Sequence, residues 1–139
     1  MKEGFGILGL AHVGVAVSSL QEATARWKKL GFRVTGTETL ESMALKIAFM
    51  ESGDSTIELL EPTVADSPVG RFLAKRGEGI HHLSFHVPDL EAALSEAEAQ
   101  GFQLIDRTPR EGSHGTKIAF LHPRSMGGVL VELCERRKP

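Results

Sequence analysis

The sequence predicts an α+β fold in which one β-α-β-β-β module occurs twice. The first observation is an internal repeat: residues His12–Ala23 match residues His82–Ala93, with His, Val, Leu and Ala at equal spacing. A Gly-Phe pair then follows each segment at the same offset from its histidine. The second observation is that each half closes with a related strand, Ile57–Leu59 and Val131–Leu133. Equal spacing over the whole unit favours a duplication over chance agreement between two β-α units.

Length and composition limit the class of protein. At 139 residues the chain fits one compact domain. We expect a single domain over residues 1–139, with modules at about 7–62 and 80–135 joined by a helical connector at 63–79. The formal net charge of −2 gives no reason to expect nucleic-acid binding. No apolar run reaches the roughly 20 residues that span a bilayer, so no membrane association is expected.

A single cysteine, Cys134, excludes an intrachain disulfide framework. Proteins of oxidising compartments often depend on such frameworks, whereas cytosolic proteins rarely do. We therefore expect a cytoplasmic location.

Elements of the first module can be placed from local signals. An apolar run over 7–17 predicts a buried strand. Ser19 and Glu22 have capping-box spacing, and the helix that they begin is expected to end at Gly31. Three strands then complete the module, over residues 32–39, 44–51 and 56–61.

The connector and the second module follow the same logic. Ser67-Pro68 predicts the start of a short helix, because proline is favoured at the first helical position. Asp89 is expected to cap a helix that runs to Gly101. Residues 110–116 are expected to form a loop. The strands of this module are predicted over residues 80–87, 102–107, 117–122 and 128–135.

Each module carries one histidine near its start and one glutamate near its end, which gives the pairs His12/Glu58 and His82/Glu132. Adjacent strand residues point to opposite faces, and only His82 aligns with His12, so His82 is assigned to the interior and His81 to the other face. The two glutamates stand between apolar neighbours, where an unpaired carboxylate would be costly to bury. Two imidazoles and two carboxylates together suit a divalent ion such as Mn, Co, Ni, Fe or Zn.

The alternative is that these residues are structural. A lone histidine in a strand is usually a structural residue, and a strand glutamate usually faces solvent, so the shared metal site rests on the symmetry of the repeat. His86, His114 and His122 lack that support, and substrate contact and a surface position both stay open for them. Four protein ligands leave two octahedral positions for a substrate. A metal there would stabilise an enolate, with the carboxylates as acid and base.

These residues resemble the vicinal-oxygen-chelate superfamily and, within it, the methylmalonyl-CoA epimerase family. The similarity covers about residues 7–135. The matching segments are Ile57–Pro62, Asp66–Pro68, Gly77–Phe85, Phe120–Ser125 and Gly128–Leu133.

The resemblance implies that the two modules form a curved, barrel-like mixed sheet around a divalent metal ion. It implies His12, Glu58, His82 and Glu132 as ligands. The expected ion is Co²⁺, with Mn²⁺, Ni²⁺, Mg²⁺ and Zn²⁺ as alternatives. A homodimer is also expected, since members of the superfamily often dimerise.

The activity implied by the resemblance is the interconversion of (2R)- and (2S)-methylmalonyl-CoA by C2 proton abstraction through a metal-stabilised enolate. The chain departs from the family pattern at Ile47, where several relatives carry a glutamate as second acid/base. We therefore expect Glu58 to act as acid/base opposite Glu132 while it stays near the metal. Glu41 is an alternative for that role.

Substrate contacts are expected from Ser67, His114, Gly115 and Lys117, with backbone N–H groups of the Gly112–Gly115 loop facing a substrate oxygen. Three other functions of the same fold stay open. They are a glyoxalase I-like lactoylglutathione lyase, a ring-cleaving dioxygenase with two histidines and one carboxylate, and a non-enzymatic small-molecule-binding protein.

Overall fold

A computed structural model describes residues 6–136 of the chain. Within the described residues, its contacts divide the chain into two compact units, residues 12–81 and residues 82–136 with 6–11. The predicted domain limits at 1 and 139 lie outside the described residues. The division into modules 7–62 and 80–135 with a connector stays a prediction.

The unit of residues 12–81 contains a mixed sheet in the order β2-β3-β4-β1. Strands β1 and β4 are parallel, and the other neighbours are antiparallel. Its elements are β1 (Gly9–Ala16, which belongs to this unit from His12 onward), α1 (Leu20–Leu30), β2 (Arg33–Leu40), β3 (Leu45–Ser52), β4 (Ser55–Pro62) and α2 (Pro68–Arg76).

Helix α1 begins and ends where the sequence predicts. The Ser19 side chain accepts a hydrogen bond from the Glu22 N–H at 3.2 Å. Gly31 closes the helix with φ 114°, a conformation that glycine adopts without strain. The helix buries Ala23 in a core cluster with Met50 and Leu59, and so holds α1 against the sheet.

Helix α2 lies in the predicted connector and begins at the predicted proline. The Ser67 hydroxyl caps it: Oγ accepts from the Gly70 N–H at 3.1 Å and donates to the Val64 carbonyl at 2.7 Å. Val69, on the buried side of the helix, packs into a cluster with Ile47 and other residues of the sheet. Pro68 at the first helical position does not lose a hydrogen bond, since that N–H has no partner inside a helix.

The second unit repeats this construction with a mixed sheet in the order β5-β8-β7-β6. Strands β5 and β8 are parallel, and the others are antiparallel. Asp89 caps α3 as predicted, with its carboxylate accepting from the Ala92 N–H at 3.1 Å. The two β-α-β-β-β arrangements confirm the predicted α+β fold class. The elements are β5 (Gly79–Val87, which belongs to this unit from His82 onward), α3 (Leu90–Ala99), β6 (Arg110–Glu111), β7 (Lys117–Leu121) and β8 (Val131–Glu135).

The predicted strand over 102–107 is wrong, and so is the prediction that 110–116 is entirely loop. Residues 102–107 contribute a single isolated bridge, from Leu104 to Leu121, while Arg110–Glu111 forms β6. The physical reason is Asp106. Its side chain accepts the Phe120 N–H at 2.9 Å and so takes a donor that a backbone ladder would have used.

No helix among residues 6–136 is long and apolar enough to cross a membrane.

Replacement of Gly70 by alanine should destabilise the protein. A Cβ at this position of α2 would lie 2.2 Å from the Ala65 carbonyl oxygen, so the backbone must shift. The expected loss is about 1–3 kcal/mol in the free energy of unfolding, measured by urea denaturation. Gly79→Ala is the matched control, because a Cβ there meets no atom within 4 Å. Equal stability of the two variants would contradict the close packing at Gly70.

Candidate metal centre and active site

In the unit of residues 12–81, β1 and β4 bring His12 and Glu58 together. Gly14 is paired with Glu58 in the parallel register, and His12 lies two residues before Gly14 on the same face. The His12 Nδ1 atom is 3.2 Å from a Glu58 carboxylate oxygen. Both residues are buried, with 8% and 6% of their surface exposed. The predicted pairing inside the first module is thus present.

In the other unit, β5 and β8 build the equivalent pair. Ser84 is paired with Glu132, and His82 lies two residues before Ser84 on the same face. The His82 Nε2 atom is 3.7 Å from Glu132 Oε1, and both residues are buried. The repeat seen in the sequence therefore corresponds to a repeat of side-chain placement.

Glu132 is a buried carboxyl group with a hydrogen-bond donor and a positive charge near it. The Ser84 hydroxyl donates to its Oε2 atom at 2.6 Å. Burial raises the pKa of Glu132 to about 7, and the Ser84 hydrogen bond and the positive charge of Arg110 oppose that rise. A carboxyl group with a pKa close to neutrality is suited to take and return a proton. Sequence reasoning missed Ser84, although its position two residues after His82 in a strand was a usable signal.

Three of the predicted ligands offer atoms for one divalent ion. His12, His82 and Glu132 are all buried, and one ligand atom from each lies within 4.8 Å of the others. Imidazole nitrogen with carboxylate oxygen is a common donor set for divalent transition metals. The donor chemistry and the burial both fit a divalent metal.

The neighbouring histidines have separate surroundings. The His81 ring makes an edge contact with Phe72, with centroids 5.1 Å apart, and burial lowers its pKa to about 4, so it is neutral at pH 7. The His82 ring instead makes an edge contact with Phe120 at 5.7 Å. The different partners agree with the prediction that the two side chains point to opposite faces.

Ile47 offers no proton-transfer group. Its side chain is 2% exposed and packs in the apolar cluster that includes Phe49 and Leu60. Glu41, the alternative second acid/base, is exposed in the single turn between β2 and β3. Neither position supplies a buried carboxylate, whereas Glu58 does.

The predicted substrate contacts lie in two places. Ser67 is buried in the cap of α2, where its hydroxyl both accepts and donates hydrogen bonds. His114 lies in the loop before β7 with φ 57°. Gly115 and Lys117 line a cavity of about 350 Å³. The other lining residues are Pro88, Asp89, Thr116, Glu135 and Arg136. A substrate-binding role for the four predicted residues stays a prediction.

Comparison with known proteins agrees with this geometry. Residues 11–120 match the sequence model of the Glyoxalase/Bleomycin resistance protein/Dioxygenase superfamily. Methylmalonyl-CoA epimerase, mitochondrial, of Dictyostelium discoideum is 38% identical over 133 residues, which cover 94% of this chain and 80% of that protein. The chain belongs to the methylmalonyl-CoA epimerase family.

Solved structures of this family have the same fold. The crystal structure of methylmalonyl-CoA epimerase from Mycobacterium tuberculosis aligns with a TM-score of 0.92 and 33% identity, over 99% of this chain and 94% of that chain. A methylmalonyl-CoA epimerase in complex with methylmalonyl-CoA and NH4+ aligns with a TM-score of 0.88 and 36% identity, over 93% and 94% of the two chains. The resemblance seen in the sequence and the expected vicinal-oxygen-chelate fold are confirmed.

The raised pKa of Glu132 predicts a pH-dependent stability of the metal-free protein. Between pH 4.5 and about 7 the folded state holds a proton on Glu132 that the unfolded state has released, so stability should fall as pH rises through this window. The full effect is on the order of 3 kcal/mol. Urea denaturation of chelator-treated protein at pH 5 and pH 8 measures it. Glu132→Gln should lose this pH dependence and the exposed control Glu91→Gln should keep it. Equal pH dependence in both variants would contradict the assignment.

Proposed function

We propose that this chain is a metal-dependent methylmalonyl-CoA epimerase, which interconverts the (2R) and (2S) forms by moving the C2 proton. The observation that carries the proposal is the buried His–Glu pair repeated in both units of an epimerase-family chain. Further support comes from a solved relative that holds methylmalonyl-CoA. A soluble cytoplasmic homodimer is part of the same proposal and stays untested.

His12, Glu58, His82 and Glu132 would together hold one divalent ion, Co²⁺ in the first instance, with Mn²⁺, Ni²⁺, Mg²⁺ or Zn²⁺ as alternatives. Support comes from the burial of two carboxylates, each beside an imidazole, because an unpaired charge in such a place is costly. When bound, the ion supplies positive charge to the substrate's carbonyl oxygens and stabilises the negative charge that develops as the C2 proton leaves.

Epimerisation needs one proton-handling group on each face of the planar enolate. Glu132 is the first, since it is buried beside His82 and the Ser84 hydroxyl holds one of its two oxygens. Glu58 is the second, because Ile47 carries no proton and Glu58 is the buried carboxylate of the other His–Glu pair. One glutamate removes the C2 proton, and the other returns a proton to the opposite face.

The coenzyme A portion is assigned to the loop before β7. Gly115 and Lys117 line a cavity there, and an ammonium group suits the phosphates of the coenzyme. His114 and Ser67 complete the proposed substrate contacts. His114 lies in the same loop as Gly115.

Exchange of the C2 hydrogen of methylmalonyl-CoA with deuterated water tests the function directly. Cobalt-loaded protein should catalyse both exchange and inversion, and chelated protein should catalyse neither. Exchange that does not depend on metal would contradict the mechanism. Turnover of a glutathione hemithioacetal without any C2 exchange would instead assign the chain to glyoxalase I-like chemistry.

Replacement of Glu58 by glutamine should abolish epimerisation and leave metal content largely intact. The amide keeps an oxygen for the metal and cannot accept the C2 proton. A drop of at least about a hundredfold in kcat is expected from loss of one acid/base, together with an unchanged metal content by elemental analysis. Glu91→Gln, which alters an exposed glutamate, is the control. Normal turnover by the Glu58 variant would show that another group delivers the second proton.

A further inference from the structure

Arg110 is a cation fixed at the edge of the second sheet. It lies in β6, and its Nε–H donates to Asp106 Oδ2 at 3.2 Å. The guanidinium carbon is 5.3 Å from the centroid of the Phe120 ring. The same Asp106 oxygen accepts the Phe120 N–H at 2.9 Å, so one carboxylate fixes both the arginine and the strand beside it.

The strand register places Arg110 on the face that carries His82 and Glu132. Arg110 is paired with Ile118, and Phe120, two residues further along β7, is paired with Glu132. The Phe120 ring contacts both the Arg110 guanidinium and the His82 imidazole, whose ring centroid is 5.7 Å from its own. Arg110 is close enough for its charge to act on the Glu132 carboxylate.

The repeat also identifies the residue of the other unit that is equivalent to Arg110. Phe49 is paired with Glu58 as Phe120 is with Glu132. Ile47 and Ile118 stand two residues before these phenylalanines. On the neighbouring strand, Ile47 is paired with Glu38 and Ile118 is paired with Arg110. The same strand position thus holds a carboxylate in one unit and a guanidinium in the other, so the fold alone does not require the arginine.

We propose that Arg110 binds the free carboxylate of the substrate and restricts this site to acyl-CoA thioesters that carry a second carboxylate. The inference rests on the proposed function and names the group that selects the substrate.

The chemistry of the guanidinium supports this role. Its planar group presents five N–H donors, and two of them match a carboxylate side by side. Asp106 uses Nε, and within residues 6–136 the terminal nitrogens make no hydrogen bond. The side chain is 41% exposed, so an arriving anion can reach it. Since Asp106 holds the arginine in place, little rotamer freedom is lost when a carboxylate binds.

The anion that Arg110 binds could also be a phosphate of coenzyme A. A comparison of the binding of two thioesters distinguishes the carboxylate from the phosphate. Malonyl-CoA and acetyl-CoA share every phosphate and differ in the free carboxylate. We expect cobalt-loaded wild type to bind malonyl-CoA more tightly by calorimetry. Arg110→Gln should reduce that preference about tenfold, the loss expected for one charged hydrogen bond, and Arg110→Lys should fall between the two.

Arg107→Gln is the control, because Arg107 is 79% exposed and its partner is Glu98 on the surface. It should keep the wild-type preference. A preference retained by Arg110→Gln would overturn the inference. Equal weakening of both thioesters would also overturn it, provided that the circular dichroism of the variant matches that of the wild type. If Arg110→Gln is misfolded, Arg110→Lys replaces it, and full wild-type preference in Arg110→Lys would overturn the inference.

Epimerisation by the wild type is measured in the same preparation. Epimerisation with an unchanged preference in Arg110→Gln would overturn the inference and leave the proposed function standing. Absence of both epimerisation and C2 exchange in the wild type would overturn the proposed function itself.

Discussion

The constraint on which the rest of this structure depends is the burial of two carboxylates. Glu58 and Glu132 are 6% and 4% exposed, in strands whose neighbouring residues form the core. A buried carboxylate must be neutralised or given a counter-charge. Each has an imidazole beside it, His12 or His82, and such donors fit a divalent ion. Stability and proposed function thus depend on the same groups.

Duplication of one module explains how a small chain obtains two buried His–Glu pairs. Differences between the two copies explain how the two glutamates can have different roles. Each unit pairs a parallel strand with the strand that carries its glutamate, so histidine and glutamate face the same way in both. The position paired with the glutamate is Gly14 in one unit and Ser84 in the other. The serine hydroxyl at 2.6 Å gives Glu132 a hydrogen bond that glycine has no side chain to supply. Epimerisation requires two acid/base groups, and these need not be identical.

Local signals in the sequence were sufficient for much of the fold. The caps Ser19, Ser67 and Asp89 predicted the helix starts, because each cap uses a side chain within three residues of the N–H that it satisfies. The repeat predicted which histidine of the His81/His82 pair belongs with the glutamates. Both inferences depend on spacing along the chain, which a single sequence contains.

What could not be predicted depends on contacts between residues distant in the sequence. Asp106 replaces the strand expected over 102–107, because its carboxylate bonds to the Phe120 N–H, 14 residues away. From the sequence alone, Arg110 is expected in a loop. The register of β6 and β7 places it on the face of the sheet that carries Glu132. A single sequence does not specify such registers, since nothing local distinguishes one pairing from the next.

Calorimetric titration of the metal-free protein with Co²⁺ tests the central claim most directly. One shared site predicts one ion per chain, and it predicts that His12→Ala and His82→Ala each lose most of the affinity although the two histidines belong to different modules. Two ions per chain, or a loss confined to one of these variants, would contradict a site to which both modules contribute.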